Sequence, residues 1–215
     1  MWYNPYMKKF CALIACVLVA SAAACSRPVK TPAAFSGEPV AVMSIFAFDS
    51  ESQPTYGLLY LGHSFLSFEN VSDGTITVGA LTLSPGEFCT VGSWGMNVHY
   101  GIWYNIEANY IVRGGIYDGR TSVSKPIGAD DLAAVNAFLA DTDRWSPLYN
   151  CANLAVDAYN AAGGDTLPLS GIVTPTRVID ELRRWTHAET NRPIGTYGIA
   201  GYLTEDSFEE YEYRD

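Results

Sequence analysis

Two residues carry chemistry that the rest of the chain must position: His63, in Gly62-His63-Ser64-Phe65, and Cys151, in Tyr149-Asn150-Cys151-Ala152-Asn153-Leu154. A thiol in the first turn of a helix feels the positive end of the helix dipole, and a neighbouring imidazole takes its proton. Both effects favour the thiolate, which is the nucleophile. Asn150 is a good N-cap, Cys151, Leu154, Ala155, Ala158 and Ala162 fall on one stripe, and Gly163-Gly164 ends the helix. His63 lies in an apolar run from Gly57 to Phe68 that reads as a strand. The competing reading for Cys151 is a disulfide with Cys89, the plain outcome for two cysteines in an oxidising compartment.

The elements that must hold this pair are strands first and helices later, which points to an α+β fold. Val40 to Phe48, Glu87 to Ser93 and Tyr100 to Val112 read as further strands, the last alternating Ile102, Tyr104 and Ile106 with Trp103, Asn105 and Glu107. Val71-Ser72-Asp73-Gly74 is turn chemistry, so Thr75 to Leu81 is expected to fold back on the histidine strand as a hairpin. Asp130 is expected to cap a helix bearing Leu132, Val135, Phe138 and Leu139. Thr174-Pro175 opens a later one presenting Val178, Leu182 and Trp185. His99, near a strand start, and His187, after the last helix, read as structural. Trp94, Trp103, Tyr104 and Tyr110 read as packing aromatics.

The order of histidine strand, sheet and cysteine helix is the reverse of a papain-like protease. It resembles the circularly permuted branch of the NlpC-type cell-wall hydrolases, which includes relatives of lecithin-retinol acyltransferase. The resemblance is carried by Leu61-Gly62-His63-Ser64-Phe65-Leu66-Ser67-Phe68 and Tyr149-Asn150-Cys151-Ala152-Asn153-Leu154-Ala155, with Thr174-Pro175 as a further echo. It implies one permuted papain-like domain over residues 39–203, an antiparallel sheet packed against helices. It also implies that Cys151 attacks a carbonyl carbon while His63 takes the proton and returns it to the leaving group. A thioester forms, and the Cys151 N–H helps hold the oxyanion. Members usually orient the imidazole with a polar residue on the strand after the histidine, where this chain offers Thr75 and Thr77. The orienting group is therefore a hydroxyl such as Thr77 or a residue from another strand, Glu107 or Asn105. A carboxylate in an apolar strand needs a partner unless it faces solvent.

Location follows from the N-terminus. Lys8 and Lys9 precede an apolar run from Phe10 to Ala20 and then Ala22-Ala23-Ala24-Cys25, so residues 1–24 read as an export signal, with Met7 as a second candidate start. Cys25 after the cut resembles a lipoprotein site, making residues 25–38, rich in Pro, Ala and Ser, a tether from a lipid anchor in the periplasm or at the cell surface. The alternative is an ordinary secreted protein. The net charge of −10, more acidic still without Lys8 and Lys9, argues against a nucleic-acid partner. Residues 204–215 read as a solvated acidic tail. No closely spaced His/Cys cluster and no cofactor motif occurs, so neither metal nor cofactor is expected.

Three functions fit: a lipid-anchored thiol hydrolase of an amide such as cell-wall peptide, an acyl- or ester-processing thiol enzyme on lipid, and a silent envelope lipoprotein with a structural disulfide. The substrate is correspondingly a small molecule, a peptide or a lipid. If Cys25 is the anchor, Cys25→Ser is expected to move the protein from the membrane to the soluble extracytoplasmic fraction, with loss of the lipid mass on its N-terminal peptide.

Overall fold

The computed structural model describes residues 28–49, 62–114, 116–195, 198–204 and 207–211. The export segment, Cys25 and the 57–61 part of the expected histidine strand lie outside the described residues. In chain order the elements begin with β1 (Ala41–Phe48), β2 (His63–Asn70), β3 (Ile76–Val78), β4 (Leu81–Leu83), β5 (Phe88–Met96) and β6 (His99–Tyr104). They continue with α1 (Ile106–Gly114), β7 (Thr121–Ile127), α2 (Ala129–Asp141), α3 (Cys151–Ala161), α4 (Pro175–Leu182), β8 (Glu189–Thr190), β9 (Gly201–Leu203) and β10 (Phe208–Glu210).

The mixed α/β architecture is built on a large antiparallel sheet ordered β10-β9-β6-β5-β2-β1-β7-β8. Strand β1 is apolar at almost every position because it is central and covered on both faces. One face buries Met43, Ile45, Leu66, Phe68, Val91 and Val123 against helices α2, α3 and α4. The other gathers Phe46, Phe48, Phe65 and Tyr117, with Tyr110 and Ile111 of α1 packed on them. His63 lies on this second face and Cys151 starts a helix on the first.

Four local expectations are corrected. The strand expected over 100–112 ends at Tyr104, because Asn105 adopts a left-handed φ of 59° and α1 begins at Ile106. Asn105 suits that turn: its carbonyl accepts from Asn109 and its side-chain oxygen accepts the Thr90 N–H at 3.0 Å. The segment after the 71–74 turn does not pair with β2; β3 pairs with β4, since β1 and β5 already occupy both edges of β2. Helix α2 starts after Gly128, whose N–H donates to Asp131 rather than to Asp130. The acidic tail is partly strand, with β10 paired to β9 and Phe208 packed near Tyr104. Strand β7, which carried no sequence expectation, pairs with β1 in full register between α1 and α2.

Helix α3 is fixed at both ends. Asn150 Oδ1 accepts from Ala152 N at 2.8 Å and Asn153 N at 3.4 Å, and Asn150 Nδ2 donates to the Val173 carbonyl. At the far end the Lys125 ammonium, 6% exposed, donates to the carbonyls of Tyr159, Gly163 and Asp165 at 2.8, 2.6 and 3.0 Å. These are the carbonyls that a helix end and its following turn leave without intrahelical partners. Within the segment expected to be a tether, the Ala33 N–H donates to the Asp165 carboxylate at 3.0 and 3.1 Å. Lys125→Met keeps the bulk but strands those acceptors, so it is expected to destabilise the fold by about 2–4 kcal/mol, read from the denaturation midpoint.

Candidate active site

The position of His63 is set by backbone. Gly62, at φ +87°, precedes it, and a Cβ there would lie 2.3 Å from the Phe48 carbonyl oxygen, so the chain enters β2 through a turn that only glycine fits. His63 is then the first residue of β2, opposite Phe48 of β1. Cys151 is the first residue of α3, held there by the Asn150 cap, and its N–H has no acceptor within the helix.

The two residues approach from opposite faces of the sheet and meet through a gap in it. The β2–β5 ladder runs from Glu69↔Phe88 only as far as Leu66↔Val91. Beyond that rung the Ser64 N–H donates to the Cys151 sulfur instead of to a strand. Through the same opening the Cys151 side chain hydrogen-bonds the His63 imidazole.

Behind the imidazole sits Glu107, 0% exposed. Its Oε1 is 2.9 Å from His63 Nε2 and accepts the Trp94 indole N–H at 2.8 Å, while Oε2 accepts the Thr90 hydroxyl at 3.0 Å. The indole is a donor only, so Glu107 serves as an acceptor carboxylate. That fixes a proton on Nε2 and leaves Nδ1 to meet the thiol. The Trp94 ring covers the imidazole at 4.2 Å between centroids, with Tyr117 at 5.7 Å and Phe65 at 5.9 Å. Gly92 makes the arrangement possible: a Cβ there would lie 2.0 Å from Glu107 Oε1 and 3.2 Å from His63 Nε2.

Charge follows from this geometry. Burial by itself pushes the imidazole down, but the Cys151 sulfur and the Glu107 carboxylate together outweigh it and hold His63 up to about 9. Burial pushes the Cys151 thiol up, but His63 and the N–H groups of Ser64 and Ala152 override it, and the thiol lies below its ordinary value. Both shifts favour the thiolate–imidazolium form of the pair. Cys89 is the opposite case, a buried free thiol that burial pushes far up.

Of the sequence candidates, Cys151, His63 and Glu107 come together, with Glu107 in the first turn of α1 rather than in a strand. Thr77 does not join them: its side chain is exposed on β3 and its carbonyl accepts from Asn136, so the far ring nitrogen is taken by the carboxylate. Thr75 is exposed as well. Asn105 shapes the turn into α1 and donates to the Ile199 carbonyl. The disulfide alternative is corrected, since Cys89 and Cys151 are both free. His99 pairs with Asp143 at 3.0 Å and stacks on Tyr202, and His187 Nε2 lies 3.1 Å from the Ser124 carbonyl. Thr90, Gly92 and the role of Trp94 were missed; the signal for them is strand register, which puts Trp94 beside His63 only once β5 is laid against β2. Among the described residues no group of three or more His, Cys, Asp or Glu is placed to hold a metal ion.

No family model, no curated protein and no solved structure matches the chain, so the site stands on its own geometry. That geometry makes Glu107 the source of part of the His63 shift. Glu107→Gln is expected to lower the imidazole from about 9 toward its ordinary value, read by NMR titration of the ring. Gly92→Ala is expected to push the carboxylate off the imidazole and to slow alkylation of Cys151 by about tenfold or more.

Proposed function

We propose that this chain is an extracytoplasmic cysteine hydrolase that cleaves an amide, with cell-wall peptide as the natural substrate of an exported and lipid-anchored enzyme. The observation that supports it most directly is the relay of half-buried Cys151 with buried His63 and Glu107, in which each member has the partner its role requires. The permuted papain-like assignment belongs to the same proposal, and the antiparallel sheet with the cysteine helix against it is compatible with it.

In this reading the Cys151 thiolate attacks the carbonyl carbon and the charge passes to oxygen. The tetrahedral species collapses as His63 gives its Nδ1 proton to the leaving amine, forming a thioester. Water then attacks the thioester carbonyl, neutral His63 takes its proton, and the carboxylic acid leaves with restoration of the thiolate and imidazolium. Glu107 keeps the ring oriented and stabilises its charged form throughout, without itself taking a proton. A buried carboxylate with three donors is a costly arrangement for a protein that only packs.

Brief iodoacetamide treatment of the folded, unreduced protein is expected to label Cys151 and leave Cys89 unmodified, with His63→Ala slowing the labelling. Equal labelling of both, or a Cys89–Cys151 linked peptide, contradicts the proposal. Turnover and alkylation are also expected to part at alkaline pH. His63 loses its proton near pH 9, so cleavage, which needs the imidazolium as acid, falls above that value while alkylation, which needs only the thiolate, does not.

A further inference from the structure

We propose that the hydroxyls of Ser64 and Ser93, together with the Cys151 N–H, form the oxyanion site of this enzyme; the inference rests on the thiol-hydrolase reading above. Ser64 and Ser93 are 0% and 1% exposed, and neither Oγ has a hydrogen-bond partner among the described residues. Buried hydroxyls without partners are costly, and these two lie on the strands on either side of the nucleophile.

Their placement gives them a use. Ser64 follows His63 on β2, and its backbone N–H already reaches the Cys151 sulfur. His63 and Phe65 point to the Tyr117 face, so by the pleat of the strand the Ser64 side chain points to the α3 face, as Leu66 does. Ser93 obeys the same alternation between Val91 in the helix-side core and Trp94 on the histidine side. Continuing the Leu66↔Val91 register by two residues on each strand sets Ser64 opposite Ser93, on the two sides of the gap through which the sulfur enters. Helix α3, eleven residues long, packs over β2 and β5 and begins at Cys151. The two hydroxyls therefore face the start of a helix, where backbone N–H groups and the dipole already favour negative charge.

The step they would assist is attack on a carbonyl. The sulfur forms a bond to carbon as the C=O π pair moves onto oxygen, and that oxygen takes hydrogen bonds from the hydroxyls and the Cys151 N–H. Collapse restores C=O and breaks the bond to the leaving group. With p-nitrophenyl acetate the products are acetyl-Cys151 and nitrophenolate, which carries away the charge brought by the thiolate. Alkylation by iodoacetamide is a displacement at carbon and develops no oxyanion.

Comparing these two probes tests the proposal without knowledge of the natural substrate. Ser64→Ala and Ser93→Ala are each expected to slow nitrophenolate release in the acylation burst by about tenfold or more, with iodoacetamide labelling of Cys151 unchanged within about twofold. Their Tm is expected to stay level or rise, because an unpaired buried hydroxyl is removed. An unchanged burst, a parallel fall in both reactions, or a lowered Tm in both variants would overturn the oxyanion assignment and leave the thiol-hydrolase reading intact. A wild-type burst no larger than that of Cys151→Ala would remove the parent reading, and this inference with it.

Discussion

The buried carboxylate of Glu107 is the constraint around which this molecule is arranged. An ionised carboxylate away from water is tolerated only with its lone pairs occupied, and here one partner comes from β2, two from β5 and the carboxylate itself from α1. Each of those elements has to be where it is. Asn105 must turn left-handed for α1 to start under the sheet, Gly92 must lack a side chain, and β5 must run beside β2 in a register that sets Trp94 over His63.

The carboxylate also helps decide what the histidine can be. Burial alone would favour a neutral ring; the Cys151 sulfur first, and the Glu107 carboxylate behind it, together favour the cation that stabilises the thiolate. Proton location, ring orientation and thiolate charge are thereby coupled. The sheet contributes by being incomplete: where β2 and β5 part, a helix on one face reaches a histidine on the other. A fully zipped sheet would keep them apart.

Much of this was legible in the residues. The helix carrying Cys151 could be read from Asn150, its apolar stripe and Gly163-Gly164, because caps and periodicity act locally. The helix opened by Thr174-Pro175 and the strand Val40 to Phe48 were legible for the same reason. What misled was alternation that fits two structures: Ile102 to Glu107 continues a strand pattern past Asn105, and only the left-handed turn there, stabilised by Thr90 from another strand, sends the chain into a helix. Glu107 was identified by its chemistry and placed in the wrong element. Trp94, Thr90 and Gly92 act through register, which depends on which strands pair; a sequence with β3 free to fold back on β2 does not disclose that β5 takes that edge.

The parting of β2 and β5 makes one rung of the sheet conditional on chemistry. Ser64 donates its amide to a sulfur where a strand residue would meet a carbonyl, and the acceptor strength of that sulfur depends on its charge. In the proposed reaction the acylated sulfur would be a feeble acceptor, and the backbone at the mouth of β2 would loosen for as long as the acyl group stays. Hydrolysis of that thioester would restore the charge and close the rung again. Under the proposed chemistry, covalent state and local sheet order would rise and fall together, and the lifetime of the acyl-enzyme would be written into the protection of a single main-chain amide.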